Sequence, residues 1–269
     1  MKKMSKEELR KAQMGILDYL VDICSKNNIS YFLTYGTLLG AIRHKGYIPW
    51  DDDIDVAMLR ADFDRLVDVC NAEENPRYRL SCVENDPSCM YPFGKMIDER
   101  TVLYERGEKG ISIGVYIDIF VYDNAPLDLK QREKGFDKLD LYGHWRQYQL
   151  PLKPAPLSLR RVAVLTIKFL IDLFLPRQFF TRRIVSSAQK YRATESDYVC
   201  DFTEPFYNKR WVVEKSLFTD LILVEFEGKK YNAPRYYDKW LRLQYGDYMK
   251  LPSKEEQDGF HHDIEAFYK

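Results

Sequence analysis

The order of apolar and polar positions divides the chain into helical and extended segments. Leu9, Ala12, Ile16, Leu17, Leu20, Ile23 and Cys24 recur at helical spacing, which predicts an amphipathic helix over 5–26. Ser5, followed by Glu8 three residues on, has the pattern of a capping box at its start. Short extended runs at 29–34 and 54–58 bracket a glycine turn at Gly36 and a short helix over 37–44; another helix is expected over 60–71. Residues 78–122 read as mainly β, with 115–121 the clearest strand. Helices are predicted over 127–148, 157–192 and 235–246, short strands and turns over 210–233, and a terminal helical piece over 255–267. Pro151, Pro154 and Pro156 mark the best internal boundary, which divides the chain into 1–150, a helical insertion over 151–200, and a C-terminal part, 201–269, that completes the first.

One segment resists a simple assignment. Residues 160–183 hold a long apolar run that carries Lys168 and Asp172, with Arg160, Arg161, Arg177, Arg182 and Arg183 around it. The run is shorter than the ~20 apolar residues a membrane-spanning helix needs. Two readings stay open: a buried helix with solvated ends, or a helix lying on an anionic membrane surface.

Composition narrows the function classes. The chain has 269 residues, enough for a sizeable core, and 41 basic residues balance 41 acidic ones. A nucleic-acid partner is therefore not expected. The five cysteines form no CxxC pair, so neither a zinc site nor a disulfide framework is indicated, and reduced thiols in a cytosolic protein are the simple expectation. The first ten residues are charged and lack the apolar core of a signal peptide. Tyrosine is abundant at 20 residues, which suits sugar, base or quaternary-amine recognition as well as an ordinary core.

The run Asp51-Asp52-Asp53-Ile54-Asp55 carries the candidate chemistry. Read as a strand, it puts Asp51, Asp53 and Asp55 on one face, roughly 6–7 Å apart, and Asp52 on the other. At an effective dielectric near 20, each such pair repels by roughly 2–3 kcal/mol. A divalent cation removes the repulsion and takes oxygen ligands of this kind. A solvated acidic turn is the plain alternative. A calcium loop is not: Val56 and Asp62 stand where that loop needs Gly and Glu. Upstream, Tyr35-Gly36-Thr37 leads from a strand into a helix, where backbone N–H groups and the Thr37 hydroxyl can meet a phosphate. A phosphate cradle beside a carboxylate-rich strand is what transfer at phosphorus requires.

These residues resemble a known family. The run from Tyr35 to Val56, YGTLLGAIRHKGYIPWDDDIDV, resembles the signature of the LicD family, phosphotransferases of the nucleotidyltransferase superfamily with fukutin-related proteins as distant relatives. Phe93-Gly94-Lys95 with Thr101, the strand around Asp118-Ile119-Phe120, and Tyr245-Gly246-Asp247-Tyr248-Met249 with Leu251-Pro252 resemble further family segments. Phe120 is followed by Val121-Tyr122-Asp123 where the family strand often continues into proline.

The resemblance implies an α+β fold, with a mixed sheet flanked by helices and the active site at the sheet edge. It implies Mg²⁺, with Mn²⁺ as the alternative, and transfer of a group such as phosphocholine from CDP-choline to a glycan or lipid-linked glycan of the cell envelope, lipopolysaccharide or teichoic acid. It implies Asp53 and Asp55 as metal ligands, Asp51 as a third acid, and Asp118 as a further ligand or the general base. Gly36 and Thr37 would hold donor phosphate, and Arg43 and Lys95 would neutralise it. The expected location is cytoplasmic, at the inner face of the membrane. Tyr35, Trp50 and Tyr116 are candidates to cage a choline ammonium, His44 to support the acidic loop, and His261 or His262 to approach the site. Two rivals remain: a glycosyltransferase, whose DxD motif also holds a metal, and a metal-stabilised membrane adaptor without activity.

Overall fold

The computed structural model describes residues 1–73, 75–105, 111–150, 152, 155–203, 211–259 and 264–269. Pro151, Pro154, His261 and His262 lie outside the described residues, and with them the expected proline boundary and histidine approach.

The chain opens with β1 (Lys2–Lys3) and α1 (Lys6–Lys26), whose Ser5 and Glu8 form the expected capping box. Next come β2 (Phe32–Leu33), α2 (Tyr35–Arg43), β3 (Asp55–Leu59) and α3 (Arg60–Ala72). β4 (Tyr78–Ser81), β5 (Gly94–Glu105) and β6 (Ile111–Asn124) follow, then three helices, α4 (Leu129–Gln149), α5 (Leu159–Phe174) and α6 (Phe179–Ala188). The chain closes with β7 (Tyr198–Asp201), β8 (Val213–Glu214), β9 (Leu221–Phe226), β10 (Lys229–Pro234), α7 (Tyr237–Tyr245), α8 (Lys254–Gly259) and β11 (Ile264–Tyr268).

The fold is α+β. Its mixed sheet is ordered β1-β11-β5-β6-β3-β2, with β4 also on β5 and β7 on β6. β5 and β6 are its long antiparallel spine, and β3 runs parallel to β6. The spine bends where the register shifts between Asp98 and Leu103. Gly114 faces this bulge, and a Cβ there would lie 2.5 Å from the Asp98 carbonyl oxygen, so no larger residue fits. The Thr101 hydroxyl closes the gap by donating to the Asp98 carbonyl and accepting the Val115 N–H, each at 2.7 Å. α1 packs on β5 and β6, and α3 on β3 and β6. One large core joins residues from Met4 to Ala266, with Trp240 fully buried against Phe218 and Tyr122. A smaller core of Ala125, Leu139, Ile184, Ala188, Cys200 and Phe202 sits under α4 and α6.

Three expectations change. The helix expected over 157–192 breaks at Pro176: Leu175 turns extended, as the residue before proline prefers, and α6 starts afresh at Phe179. The terminal helical piece over 255–267 ends at Gly259, and β11 pairs antiparallel with β5, a long-range pairing that no local periodicity reveals. The buried-helix reading of 160–183 also fails over α5, which has no buried residue, and burial begins only at Gln178, Phe180 and Thr181. No helix among the described residues is long and apolar enough to cross a membrane.

Candidate active site

Sheet register assembles the deep part of the site. β3 beside β6 pairs Asp55 with Asp118, and β5 beside β6 pairs Lys95 with the same Asp118. Register partners on adjacent strands point to one face, so Lys95, Asp118 and Asp55 form a row across three strands. Lys95 Nζ lies 2.6 Å from Asp118 Oδ1. Its ammonium also lies over the rings of Tyr116 and Tyr91, at 3.3 and 4.1 Å from their centroids. The hydroxyls of Tyr91 and Tyr116 both donate to Glu105.

The outer part is a loop, not a strand. β3 begins only at Asp55, so the alternation expected of 51–55 does not apply. Carboxylate oxygens of Asp51, Asp52 and Asp53 instead lie within 4.8 Å of one another, which brings in Asp52, expected on the opposite face. The Asp52 N–H donates to Asp51 Oδ1 at 3.1 Å. α1 fixes the loop from behind: Arg10 donates to the carbonyls of Ile48 and Asp51, and Gln13, itself buried, to that of Asp52 at 2.7 Å. With the carbonyls held there, the side chains are left to converge. Arg10 and Gln13 escape the sequence reading because they act from about 40 residues away.

The start of α2 closes the arrangement. The Gly36 N–H faces the Asp55 carboxylate and favours its charged form. A Cβ on Gly36 would lie 2.5 Å from Asp51 Oδ2 and 3.6 Å from Asp55 Oδ2, so glycine is what lets the helix end reach the acids. Thr37 is buried and its hydroxyl accepts the Asp55 N–H at 2.7 Å, which ties α2 to the first residue of β3. Tyr35 sits at φ 43°, a left-handed conformation that costs a bulky residue about 1–3 kcal/mol. Its hydroxyl donates to buried Asp201 at 3.0 Å and its ring meets Phe120 edge-on, which holds the strained turn. Burial raises the Asp201 carboxyl above its usual value. Burial also pushes Asp55 well above the usual carboxylate range, and the charges of Asp53, Asp118 and Asp51 push the same way. The donor set is therefore hard and oxygen-rich, which fits a divalent cation.

A cleft of about 700 Å³ opens beside the acids. Gly36, Arg43, Trp50 and Asp51 line one side, and Tyr245, Asp247, Tyr248 and Lys250 another. Arg43 spans the two, donating to the Tyr248 carbonyl at 2.7 Å with its guanidinium 5.9 Å from the Trp50 ring. His44 accepts from Arg43 Nε at 2.9 Å. Of the expected site residues, Gly36, Asp51, Asp53, Asp55 and Asp118 thus converge and Arg43 stands on the cleft wall. Lys95, 2% exposed, meets Asp118 from behind. Of the three aromatic candidates, Trp50 lines the cleft, Tyr35 reaches Asp201, and Tyr116 covers Lys95. Tyr245 and Tyr248 were legible only as part of a family segment, which the structure places on the cleft wall together with Lys250, a residue the sequence reading missed.

Comparison with known proteins bears on this site. A model of the LicD/FKTN/FKRP nucleotidyltransferase domain matches residues 28–163. The chain is 34% identical over 273 residues to the lipopolysaccharide cholinephosphotransferase LicD of Haemophilus influenzae, a match that covers 99% of both chains. It is 33% identical over 92 residues to the ribitol 5-phosphate transferase FKRP of mouse and of human, covering 34% of this chain and 15% of those proteins.

Proposed function

The chain belongs to the LicD family and is a transferase, and on that premise we propose that it moves phosphocholine from CDP-choline to a hydroxyl of a lipopolysaccharide-type glycan. The observation that carries this reading is the convergence of Asp51, Asp53 and Asp55 on the Gly36 end of α2, at the mouth of a cleft with aromatic and cationic walls. The full-length similarity to a lipopolysaccharide cholinephosphotransferase supports the substrate pair. A nucleotide-activated donor belongs to the cytoplasm, so the reaction is assigned to the inner face of the membrane.

In this reading the acceptor oxygen forms a bond to the donor's choline-side phosphorus. The bond from that phosphorus to the bridging oxygen breaks, and its electron pair leaves with CMP. The acceptor proton passes to a carboxylate, for which Asp118 is the candidate. Asp51, Asp53 and Asp55 would hold Mg²⁺, which supplies positive charge to the phosphate oxygens. Arg43 and Lys250 lie where they can neutralise donor phosphate, and Trp50, Tyr245 and Tyr248 offer ring faces to the base or the choline ammonium.

The test is CMP release from a panel of CDP-alcohols with lipopolysaccharide acceptor and Mg²⁺. Acceptor-dependent CMP release from CDP-choline is expected. Turnover of a UDP- or GDP-sugar instead would replace this reading with that of a glycosyltransferase.

The metal has a readout of its own. Because Asp55 is raised in the folded protein, the fold holds its proton more tightly than the unfolded chain does. Stability in metal-free buffer therefore falls as pH rises from the ordinary carboxylate range through the raised value. A bound cation offsets the exposed repulsion, so Mg²⁺ should raise Tm at neutral pH and much less near the ordinary carboxylate pKa. A Tm that ignores both Mg²⁺ and Mn²⁺ at neutral pH would remove the metal from the proposal.

A further inference from the structure

Helix α5 wears its apolar face outward. No residue of this 16-residue helix is buried. The side turned to the protein carries Lys168, which donates to the Tyr148 carbonyl at 3.0 Å, and the partly covered Arg161, Val164, Ile167 and Ile171. The side turned to solvent carries Leu159, Val162, Leu165, Phe169, Leu170, Leu173 and Phe174, with Leu159 93% and Phe174 73% exposed. An ordinary surface helix has the opposite arrangement. The neighbouring α4 adds exposed Leu141 and Trp145, the latter 5.7 Å from Tyr148 between ring centroids. Seven exposed apolar side chains along one helix mark an interaction site.

We infer that the outer face of α5, with the Trp145–Tyr148 cluster of α4, docks flat on an anionic lipid bilayer. Charge identifies the occupant. The whole chain is neutral, yet residues 160–183 hold six cations against one acid, and Arg160, Arg177, Arg182 and Arg183 are exposed at the two ends of the apolar face. Lipid headgroups of negative charge match this frame. A second copy does not: two α5 faces packed antiparallel would bring Arg160 of one copy to Arg177 and Arg182 of the other, with little acid to offset them. The aromatic pair suits the polar boundary of a bilayer, where Trp and Tyr rings collect. At 16 residues α5 is about 24 Å long, too short and too charged at its ends to span, and right for lying in the interface plane. The inference refines where the proposed enzyme sits, and it rests on no part of the chemistry at the acidic site.

The full chain should co-sediment with vesicles of phosphatidylcholine plus phosphatidylglycerol and not with phosphatidylcholine alone, and Trp145 emission should shift to the blue on binding. Salt should weaken the binding. Replacing Arg177, Arg182 and Arg183 by glutamine should weaken it on the order of a hundredfold. The pair Phe169→Glu and Leu173→Glu should abolish it, with circular dichroism unchanged because both sites are exposed. CMP release with a soluble oligosaccharide acceptor should stay at the wild-type level in that variant, which separates failure of docking from failure of the catalytic reading. Two results overturn the inference: absence of binding to anionic vesicles by the wild-type chain with no Trp145 shift, or a wild-type dimer that the Phe169→Glu, Leu173→Glu pair converts to monomer.

Discussion

An Asp55→Asn variant should lose transfer on the order of a thousandfold while melting above the wild type in metal-free buffer. Asp55 is 8% exposed, and its carboxyl sits among Asp51, Asp53 and Asp118, with the Gly36 N–H favouring its charged form. Asparagine keeps the shape and an oxygen for that N–H, and removes a buried negative charge. The expected gain is about 0.5–2 kcal/mol at neutral pH, of the kind found when a strained functional group is neutralised. The same substitution removes a proposed metal ligand and with it several kcal/mol of charge stabilisation in the transition state, which sets the thousandfold figure. The Mg²⁺-dependent rise in Tm should shrink with it. Asp53→Asn should match the loss of transfer without the gain in stability, since Asp53 is partly exposed. Paired thermal melts and CMP-release assays decide the matter. An Asp55→Asn enzyme with near wild-type turnover would end the assignment of Asp55, whatever its stability.

The opposite signs of those effects explain why the site was legible from the sequence at all. A run of four acids in five residues is costly in a fold unless something uses it, and a glycine turn fifteen residues before Asp51 supplies the context. That much is local. What carried the site beyond the sequence was long-range register. The row of Lys95, Asp118 and Asp55 needs β5, β6 and β3 side by side, and no spacing along the chain encodes that. The loop geometry was hidden for a related reason. Residues 51–54 look extended, yet Arg10 and Gln13 of α1 hold the carbonyls of Asp51 and Asp52 away from the sheet, so the pleat that would send Asp52 away never forms. The break before Pro176, which the single helix expected over 157–192 missed, was within reach, because the pre-proline restriction is local. The strand at 264–268 was not, since its partner strand ends about 160 residues earlier.

Lys95→Met should be the most destabilising single change at the site, by about 3–5 kcal/mol, a fall in Tm on the order of 10 °C. Methionine fills the same aromatic surround of Tyr91, Phe93 and Tyr116, so packing is nearly conserved and the charge alone is lost. Asp118, 8% exposed, then stands beside Asp55 without the ammonium 2.6 Å away. The cost arises from that stranded charge, not from the bond, so a second change should recover it. Lys95→Met combined with Asp118→Leu replaces the ion pair by apolar groups and should return most of the lost stability, because a buried pair exchanged for well-packed apolar residues is often neutral or better. Activity should not recover with stability in the double variant, which separates folding from chemistry. The kinetics of a residually active Lys95→Met enzyme distinguish two roles for the lysine. A residue that neutralises donor phosphate would raise KM for the donor, whereas a residue that holds Asp118 in place lowers kcat and leaves that KM nearly unchanged. The burial of Lys95 behind Asp118 predicts the second pattern, and a large rise in donor KM with kcat intact would return the lysine to the cleft.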